Sequence, residues 1–201
     1  MLDSTARKLI DPPLNAIAAR ISDKFSANSI TFIGFFIGFL SFISLLKGQF
    51  TLALVFLLLN RFCDGLDGAV ARRQGPSDLG AYLDIVADFL LWALLPLGFL
   101  FYAPENAFAV AVLLSSFAMS MTAFLAFAML AEKRGLSSET QGKKSFYYLA
   151  GLAEGSETIA FFILTMVKPD WFIPAALIFA GFVFLSTVGR LIVSMAILRE
   201  G

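Results

Sequence analysis

The feature that most constrains the fold is a series of long apolar stretches separated by short polar or proline-containing segments. A membrane-spanning helix needs about 20 consecutive, mostly apolar residues. Six stretches meet this requirement, at approximately residues 30–49, 51–72, 79–103, 106–131, 146–167 and 171–197. Of the 201 residues, 59% are hydrophobic, whereas soluble domains have roughly 45–50%. The sequence therefore predicts an all-α integral membrane protein with six transmembrane helices.

The segment before the first apolar stretch has the pattern of an amphipathic helix. Asp11 could cap this helix and Pro12 could occupy its first turn, where proline is tolerated. Apolar side chains recur at helical spacing, at Ile10, Leu14, Ile17, Ile21 and Phe25. We expect residues 1–29 to be a cytoplasmic interfacial segment with an amphipathic juxtamembrane helix. Residues 30–201 would then form the six-helix transmembrane domain.

Basic residues indicate the orientation of the chain in the membrane. Most of them fall at the N-terminus, in the second and fourth loops and at the C-terminus: Arg7, Lys8, Arg20, Lys24, Arg72, Arg73, Lys133, Arg134, Lys143, Lys144 and Arg199. Only Lys47 and Lys168 fall in loops on the other side. Because cytoplasmic loops carry an excess of lysine and arginine, the sequence predicts a multi-pass protein with both termini in the cytoplasm.

The composition excludes several classes of function. Acidic and basic residues balance at 15 each, so no bulk attraction to nucleic acid is expected. Histidine is absent, which rules out histidine-based acid–base catalysis, HExxH zinc sites and histidine ligation of haem. The single cysteine, Cys63, cannot form a disulfide within the chain.

Four aspartates lie inside the predicted second and third membrane helices: Asp64, Asp67, Asp84 and Asp88. A carboxylate is costly at membrane depth, so residues of this kind usually serve a function. The first two are three residues apart and the last two are four apart, which places each pair on one face of its helix. The short loop makes the two helices antiparallel neighbours. A rise of 1.5 Å per residue then puts both pairs roughly 8–14 Å below the cytoplasmic helix ends.

Carboxylate oxygens without imidazole or thiolate ligands favour hard divalent cations such as Mg²⁺, Mn²⁺ or Ca²⁺. Two such ions at a site open to the cytoplasm would suit phosphate chemistry, because they could neutralise a pyrophosphate and stabilise the leaving oxygen. The carboxylates alone leave a different class open. A cation-coupled transporter or channel could use the same residues to bind a transported ion.

The residues around the aspartates form an ordered motif. Residues 64–72 read DGLDGAVAR, and residues 80–88 read GAYLDIVAD. This arrangement, D-x-x-D-G-x-x-A-R and then G-x-x-x-D-x-x-x-D, resembles the signature of the CDP-alcohol phosphotransferase family. All fixed positions of that signature are matched in order. The spacer between Arg72 and Gly80 has seven residues, one fewer than is usual in the family, so we expect a tighter turn there.

The resemblance implies a role for each matched position. Divalent cations, Mg²⁺ or Mn²⁺ and two in number, would be bound by Asp64, Asp67, Asp84 and Asp88. The CDP moiety would be bordered by Asp64, Gly68, Ala71, Arg72 and Gly80. The general base that takes the proton of the acceptor hydroxyl would be Asp88.

The resemblance also implies the reaction. A phosphatidyl or related phospho-alcohol group would pass from a CDP-alcohol, expected to be CDP-diacylglycerol, to a small acceptor alcohol, with release of CMP. Polar residues of the last polar loop and the fifth and sixth helices are candidates for binding the acceptor: Arg190, Lys143, Lys144, Glu154 and Glu157. They slightly favour a phosphorylated acceptor over a small alcohol such as serine. The transporter remains the alternative from another class, but it does not explain the matched glycines, alanine and arginine.

Several of these residues also have simple structural interpretations. The four aspartates could form a buried salt-bridge network with Arg61 and Arg190, although two arginines cannot neutralise so many acids. Arg190 could equally pair with a glutamate of the fifth helix. Gly34 and Gly38 form a GxxxG pattern, which permits close helix packing and is weak evidence for a homodimer.

Overall fold

The computed structural model describes residues 2–135 and 155–199, and the regular structure in these ranges is entirely helical. Seven α-helices follow one another there: α1 Leu2–Ile21, α2 Ala27–Leu46, α3 Phe50–Gln74, α4 Asp78–Tyr102, α5 Ala107–Lys133, α6 Gly155–Val167 and α7 Phe172–Arg199. Short 3₁₀ turns, Pro104–Asn106 and Pro169–Trp171, precede α5 and α7. The all-α prediction is confirmed for this part of the chain.

Four helical segments are long and apolar enough to cross a membrane: Ala27–Leu46, Asp78–Tyr102, Pro104–Lys133 and Pro169–Arg199. They correspond to the predicted first, third, fourth and sixth spans. Helix α3 has 25 residues, but Arg61, Asp64 and Asp67 interrupt its apolar run. Helix α6 has 13 residues, and residues 146–154 of the predicted fifth span lie outside the described residues. The count of six spans therefore stays a prediction.

The helices group into two compact units. The first comprises Met1–Asn106 and Ile163–Pro169, and the second comprises Ala107–Phe162 and Asp170–Gly201. In the first unit, α2 packs against both α3 and α4, whereas α3 and α4 pack far less against each other. In the second unit, α5 packs against α7. All motif residues lie in the first unit, where α2 is the common support of the two helices that carry them.

Helix α1 begins at Leu2, so Pro12 and Pro13 lie inside it and not at its start, which differs from the expectation of a start near Asp11. Its second half packs against α3. Leu14 and Ala18 are buried in an apolar cluster with residues of α2 and α3, namely Ile30, Leu66, Ala69 and Val70. Ile10 and Phe25, at the two ends of the predicted apolar stripe, are exposed. The buried part of α1 fixes the face of α3 that is adjacent to the motif.

The loop between α3 and α4 has three residues, Gly75, Pro76 and Ser77, and is shorter than the six or so expected from the sequence. Gly75 has φ +93°, a conformation that residues with a side chain rarely adopt. Ser77 Oγ accepts a hydrogen bond from the Gly80 amide at 3.1 Å and caps α4. The helices extend into the predicted loop because Arg73 complements the C-terminal end of α3, and Asp78 the N-terminal end of α4.

The glycines of the GxxxG pattern serve packing within the chain. A Cβ on Gly34 would lie 2.9 Å from the Cβ of Cys63, and one on Gly38 would lie 2.9 Å from Leu91 Cδ1. These two contacts are with α3 and α4, so the pattern lets both helices approach α2 closely. The pattern therefore presents no exposed glycine face to a second copy, and a homodimer stays a prediction.

Candidate active site

A pocket opens where the first turns of α2, the last turns of α3 and the first turns of α4 meet. Its volume is about 300 Å³, at the lower end of the range of roughly 300–1,000 Å³ that is typical of ligand sites. The pocket is lined by Ser26, Ala27, Asn28, Thr31, Asp67, Gly68, Ala71, Gln74, Gly75, Pro76, Ser77, Gly80, Ala81 and Asp84. We call it the motif pocket, because five of these residues are fixed positions of the aspartate motif.

Helical spacing explains why the motif residues share one wall. Asp67 and Ala71 are four residues apart on α3, and Gly80 and Asp84 are four apart on α4, so each pair faces the same way. The loop reverses the chain direction between them. Farther from the loop on both helices, a hydrogen bond joins Arg61 to Asp88. The helices are therefore antiparallel, as the sequence predicts.

The four aspartates divide into two sets. Asp67 and Asp84 line the motif pocket. Asp64 and Asp88 instead contact Arg61 of α3, whose Nη2 donates to Asp88 Oδ1 at 2.7 Å and whose Nη1 lies 3.6 Å from Asp64 Oδ2. One guanidinium thus joins an aspartate of its own helix to an aspartate of α4. The Arg61 part of the predicted salt-bridge alternative is present, but this contact accounts for only two of the four carboxylates.

Arg61 is held from several sides. Its side chain is 13% exposed, and its Cζ lies 4.8 Å from the ring centroid of Trp92, one helical turn beyond Asp88. Its Nε donates to Asn60 Oδ1 at 2.8 Å. The amide nitrogen of Asn60 in turn donates to the Gly34 carbonyl at 2.8 Å. The guanidinium is therefore anchored to all three helices that surround the motif.

Asp67 is buried and has a partner on α2. The hydroxyl of Thr31 lies 2.6 Å from Asp67 Oδ2 and donates to it. Thr31 Oγ1 is also 3.1 Å from the carbonyl of Ala27, but a hydroxyl has one proton, and the shorter contact with a carboxylate is the stronger one. This bond orients Asp67 at the pocket wall.

Glycine and arginine positions of the motif shape the pocket. A Cβ on Gly80 would lie 3.1 Å from both Asn28 Oδ1 and Ser77 Oγ, so a larger residue would crowd the wall. A Cβ on Gly68 would have one neighbouring atom within 4 Å, Arg72 Nη1 at 3.5 Å. The backbone at Gly68 is thus open to a ligand, with an exposed guanidinium beside it. Arg72 itself is not among the lining residues, whereas Gly68, Ala71 and Gly80 are.

Gln74, the last residue of α3, ties the pocket rim together. Its Nε2 donates to the carbonyls of Ser22 at 2.6 Å and Phe25 at 2.8 Å, and its Oε1 accepts from the Ala27 amide at 3.2 Å. These bonds fix the connection between α1 and α2 against the end of α3. The first turn of α2, which supplies Asn28 and Thr31 to the pocket, is placed by them.

The chemistry of this donor set fits a hard divalent cation, because it consists of carboxylate oxygens from two facing helices. The side chains are not preassembled around one point, however. Within residues 2–135 and 155–199, no three acidic, cysteine or histidine side chains form a group that could hold an ion as they stand. Arg61 contacts both Asp64 and Asp88, so an ion shared by all four carboxylates would compete with its guanidinium for these two.

Four residues that line the pocket lie outside the aspartate motif: Thr31, Gln74, Asn28 and Ser77. Local sequence marks each as a helix-capping or terminal residue, and Ser77 does cap α4. The contact of Thr31 with Asp67 spans 36 positions, and that of Gln74 with Ser22 spans 52, which no spacing rule reveals. Only the polar character of Thr31 at the start of an apolar stretch could have indicated a buried partner.

The predicted acceptor-binding residues lie elsewhere in the chain. Arg190 and Glu157 belong to the second unit. There, Arg190 Nη1 donates to Ser120 Oγ at 3.2 Å, and its Cζ lies 5.8 Å from the ring of Phe124. Glu157 accepts a hydrogen bond from Ser156 at 3.2 Å in the first turn of α6. The other three, Lys143, Lys144 and Glu154, lie outside the described residues.

Comparison with known proteins agrees with the motif. A sequence model of CDP-alcohol phosphatidyltransferase matches residues 24–186. The chain is 44% identical over 193 residues to the Escherichia coli "Inner membrane protein YnjF", with 94% of this chain and 93% of that protein covered. It is 31% identical over 102 residues to phosphatidylcholine synthase from Brucella melitensis, with 48% of this chain and 37% of that one covered.

A solved structure has a similar fold. It is the crystal structure of Mycobacterium tuberculosis phosphatidylinositol phosphate synthase with CDP-DAG bound, at TM-score 0.63 and 20% identity, with 92% of each chain covered. The apolar helices and the inner-membrane relative support a multi-pass integral membrane protein. The family match favours an enzyme over a transporter or channel. The chain belongs to the CDP-alcohol phosphatidyltransferase family, and it is a CDP-alcohol phosphotransferase.

Proposed function

We propose that the motif pocket is the active site, and that it transfers a phosphatidyl group from CDP-diacylglycerol to the hydroxyl of an acceptor alcohol. The observation that carries this proposal is the convergence of Asp67, Gly68, Ala71, Gly80 and Asp84 on one pocket from two helices. The similarity in fold to a synthase whose structure holds CDP-DAG supports the choice of donor. The partial match to a phosphatidylcholine synthase supports phospholipid synthesis.

The proposed reaction is a single displacement at phosphorus. The acceptor oxygen forms a bond to the phosphorus that carries diacylglycerol, and the bond from this phosphorus to the oxygen bridging to CMP breaks. CMP departs with that bridging oxygen. Asp88 takes the proton of the acceptor hydroxyl. Since Arg61 engages Asp88 Oδ1, we propose Oδ2 as the atom that receives the proton.

The residues that border the pocket would bind and orient the donor. The open backbone at Gly68 would allow a phosphate to approach α3 closely, whereas Gly80 leaves room for Asn28 and Ser77 at the pocket wall. Arg72, beside Gly68 and exposed, would attract the diphosphate by charge. Members of this family generally use divalent cations. We propose that Asp64, Asp67, Asp84 and Asp88 hold two, Mg²⁺ or Mn²⁺, whose charge would neutralise the diphosphate and stabilise the leaving oxygen.

The same proposal includes the membrane arrangement. Six spans with both termini cytoplasmic would place the motif pocket on the cytoplasmic side, because the last turn of α3 carries Arg72 and Arg73. Residues 1–29 would lie at the membrane surface, and residues 30–201 would form the transmembrane domain. The lipid tails of the donor would lie along the helices. Acceptor binding is proposed for Arg190 and Glu157, and also for Lys143, Lys144 and Glu154.

The test is release of CMP by the purified full chain in detergent. The donor would be CDP-diacylglycerol labelled in the cytidine, supplied with Mn²⁺ or Mg²⁺ and a panel of alcohols and phosphorylated alcohols. We expect CMP to form with at least one acceptor. Asp88→Asn should abolish turnover while the protein still folds, whereas Asp170→Asn, which removes an exposed carboxylate outside the motif, should not.

The transporter alternative predicts a different result. If no CDP-alcohol yields CMP with any acceptor and the reconstituted protein moves cations across liposomes, the proposed function is wrong. CMP release that survives both Asp67→Asn and Asp84→Asn would also contradict it. That result would show that chemistry does not occur at the motif pocket.

A further inference from the structure

We infer that Arg61 is a positioning residue of this active site: a fixed counter-cation that holds Asp64 and Asp88 and competes with the divalent cation for them. The inference rests on the proposed function, because it takes these carboxylates as metal ligands and Asp88 as the base. It adds a residue outside the eight motif positions. It also assigns that residue two opposite effects, one on metal affinity and one on turnover.

The Arg61 guanidinium contacts two of the four motif carboxylates. Arg61 donates to Asp88 at 2.7 Å and lies 3.6 Å from Asp64. These are the two motif aspartates that do not line the pocket, while Asp67 and Asp84 do. The four acids therefore form a set that lines the pocket and a set that contacts the guanidinium of Arg61. For all four to act on one metal cluster, Asp64 and Asp88 must be shared between the metal and the guanidinium.

Neighbouring residues hold the Arg61 side chain in place. Asn60 accepts from its Nε and is itself bonded to the Gly34 carbonyl, and the ring of Trp92 lies 4.8 Å from its Cζ. A side chain that is 13% exposed and anchored in this way cannot swing far into solvent. The positive charge consequently stays near the carboxylates when a metal binds, and it repels that metal.

The anchored Arg61 side chain also links α3 to Asp88 of α4. Because α3 and α4 pack little against each other, the contact from Arg61 to Asp88 is a direct link between them at this depth. The link holds one oxygen of Asp88 and thereby restricts the rotation of its carboxylate. A misplacement of a reacting group by about 1 Å can reduce a rate by roughly 10²-fold. Loss of Arg61 should therefore lower kcat through Asp88, although Arg61 itself does not touch the reacting atoms.

The test combines two readouts on the purified full chain. Mn²⁺ binding without nucleotide is measured by calorimetry, and kcat is measured by CMP release at saturating Mn²⁺. For Arg61→Gln we expect Mn²⁺ affinity to rise roughly tenfold or more, because one repelling charge and one competing partner are removed. We expect kcat to fall roughly 10²-fold. Arg73→Gln, which removes an exposed charge from the same helix, should change neither by more than about threefold.

A merely structural role predicts the opposite for binding. If Arg61 only stabilised the fold, Arg61→Gln would weaken Mn²⁺ binding along with activity. An unchanged or reduced Mn²⁺ affinity overturns the inference, provided that the wild-type chain binds Mn²⁺ and releases CMP. A wild-type chain that does neither overturns the proposed function itself. The shift of the unfolding temperature by Mn²⁺ gives a second binding readout that is independent of turnover, and it should be larger in Arg61→Gln.

Arg61→Lys keeps the inference testable if Arg61→Gln does not fold. Lysine retains the charge but cannot donate to two carboxylates in the fork geometry of a guanidinium. We expect Mn²⁺ affinity within about threefold of wild type, since the repelling charge remains, and a clear fall in kcat. A tenfold gain in Mn²⁺ affinity in Arg61→Lys would contradict the assignment of the effect to charge.

Discussion

The hydrogen bond from Thr31 to Asp67 gives the sharpest single test of the pocket. Asp67 is buried at 6% exposure, and Thr31 lies 2.6 Å from its Oδ2. Replacing Thr31 with valine keeps the shape and branching of the side chain but removes the donor. The alternative acceptor of the hydroxyl, the carbonyl of Ala27, already serves the helix backbone. The main loss is therefore the bond to the carboxylate.

The magnitude follows from the charge of the acceptor. A hydrogen bond to an ionised group contributes about 1.5–3 kcal/mol. If this free energy holds Asp67 in the orientation that the donor complex needs, its loss lowers kcat/KM for CDP-diacylglycerol by roughly 10- to 150-fold, at 1.4 kcal/mol per tenfold. Thr31→Ser keeps the hydroxyl and should stay within about threefold of wild type.

The assay is the initial rate of CMP release over a range of donor and Mn²⁺ concentrations, for wild type, Thr31→Val and Thr31→Ser. Thermal unfolding in the same detergent separates a local effect from a loss of fold. Equal kcat/KM values for the valine and serine variants, with both proteins folded, would refute the reasoning. Asp67 would then be oriented by something other than the Thr31 hydroxyl.

Three further predictions concern packing and the pocket rim. Gly34→Ala places a Cβ 2.9 Å from Cys63 Cβ, so we expect a loss of about 1–3 kcal/mol, seen as a fall of roughly 2–10 °C in Tm. The control Gly181→Ala adds a Cβ in open space and should leave Tm unchanged or slightly higher. Equal Tm values for Gly34→Ala and Gly181→Ala would contradict the close approach of α2 and α3. Gly80→Ala, crowded by Asn28 and Ser77 at 3.1 Å, should raise the KM for CDP-diacylglycerol, and an unchanged KM would place the donor elsewhere. Gln74→Glu replaces the amide group that donates to two carbonyls with a carboxylate that can only accept. The kcat/KM of Gln74→Glu should therefore fall below that of Gln74→Ala. The reverse order would be evidence against those hydrogen bonds.

Sequence reasoning could predict the features of the site that depend on local spacing. The offsets of three and four residues predict one helical face for each aspartate pair, but in the structure one member of each pair, Asp67 or Asp84, lines the pocket and the other, Asp64 or Asp88, contacts Arg61. The motif glycines also lie at this pocket. The antiparallel arrangement of α3 and α4 follows from a short loop. Each of these features depends only on helix geometry and on residues close together in the chain.

The features that were missed depend on contacts across the chain. Thr31 and Asp67 are 36 residues apart, and Gln74 is 47–52 residues from its partners. Hydropathy finds α2 and α4 as spans, but it cannot say that both α3 and α4 pack on α2 more than on each other. The GxxxG pattern likewise indicates a close helix contact without naming the partner. Only the fold shows that the partners of these glycines are α3 and α4.

The weak hydropathy of α3 and its role in the site have the same cause. Each charged residue at the centre of a membrane helix costs about 2.5–3.5 kcal/mol on insertion scales, and α3 carries Arg61, Asp64 and Asp67 close together. Arg61 contacts Asp64 and also Asp88 of α4, and Asp67 receives the hydroxyl of Thr31. The charges that make α3 a poor span are thus compensated by each other and by the neighbouring helices. Two of the compensating groups, Thr31 and Asp67, also line the motif pocket, so part of the packing that accommodates the charges of α3 also forms the site.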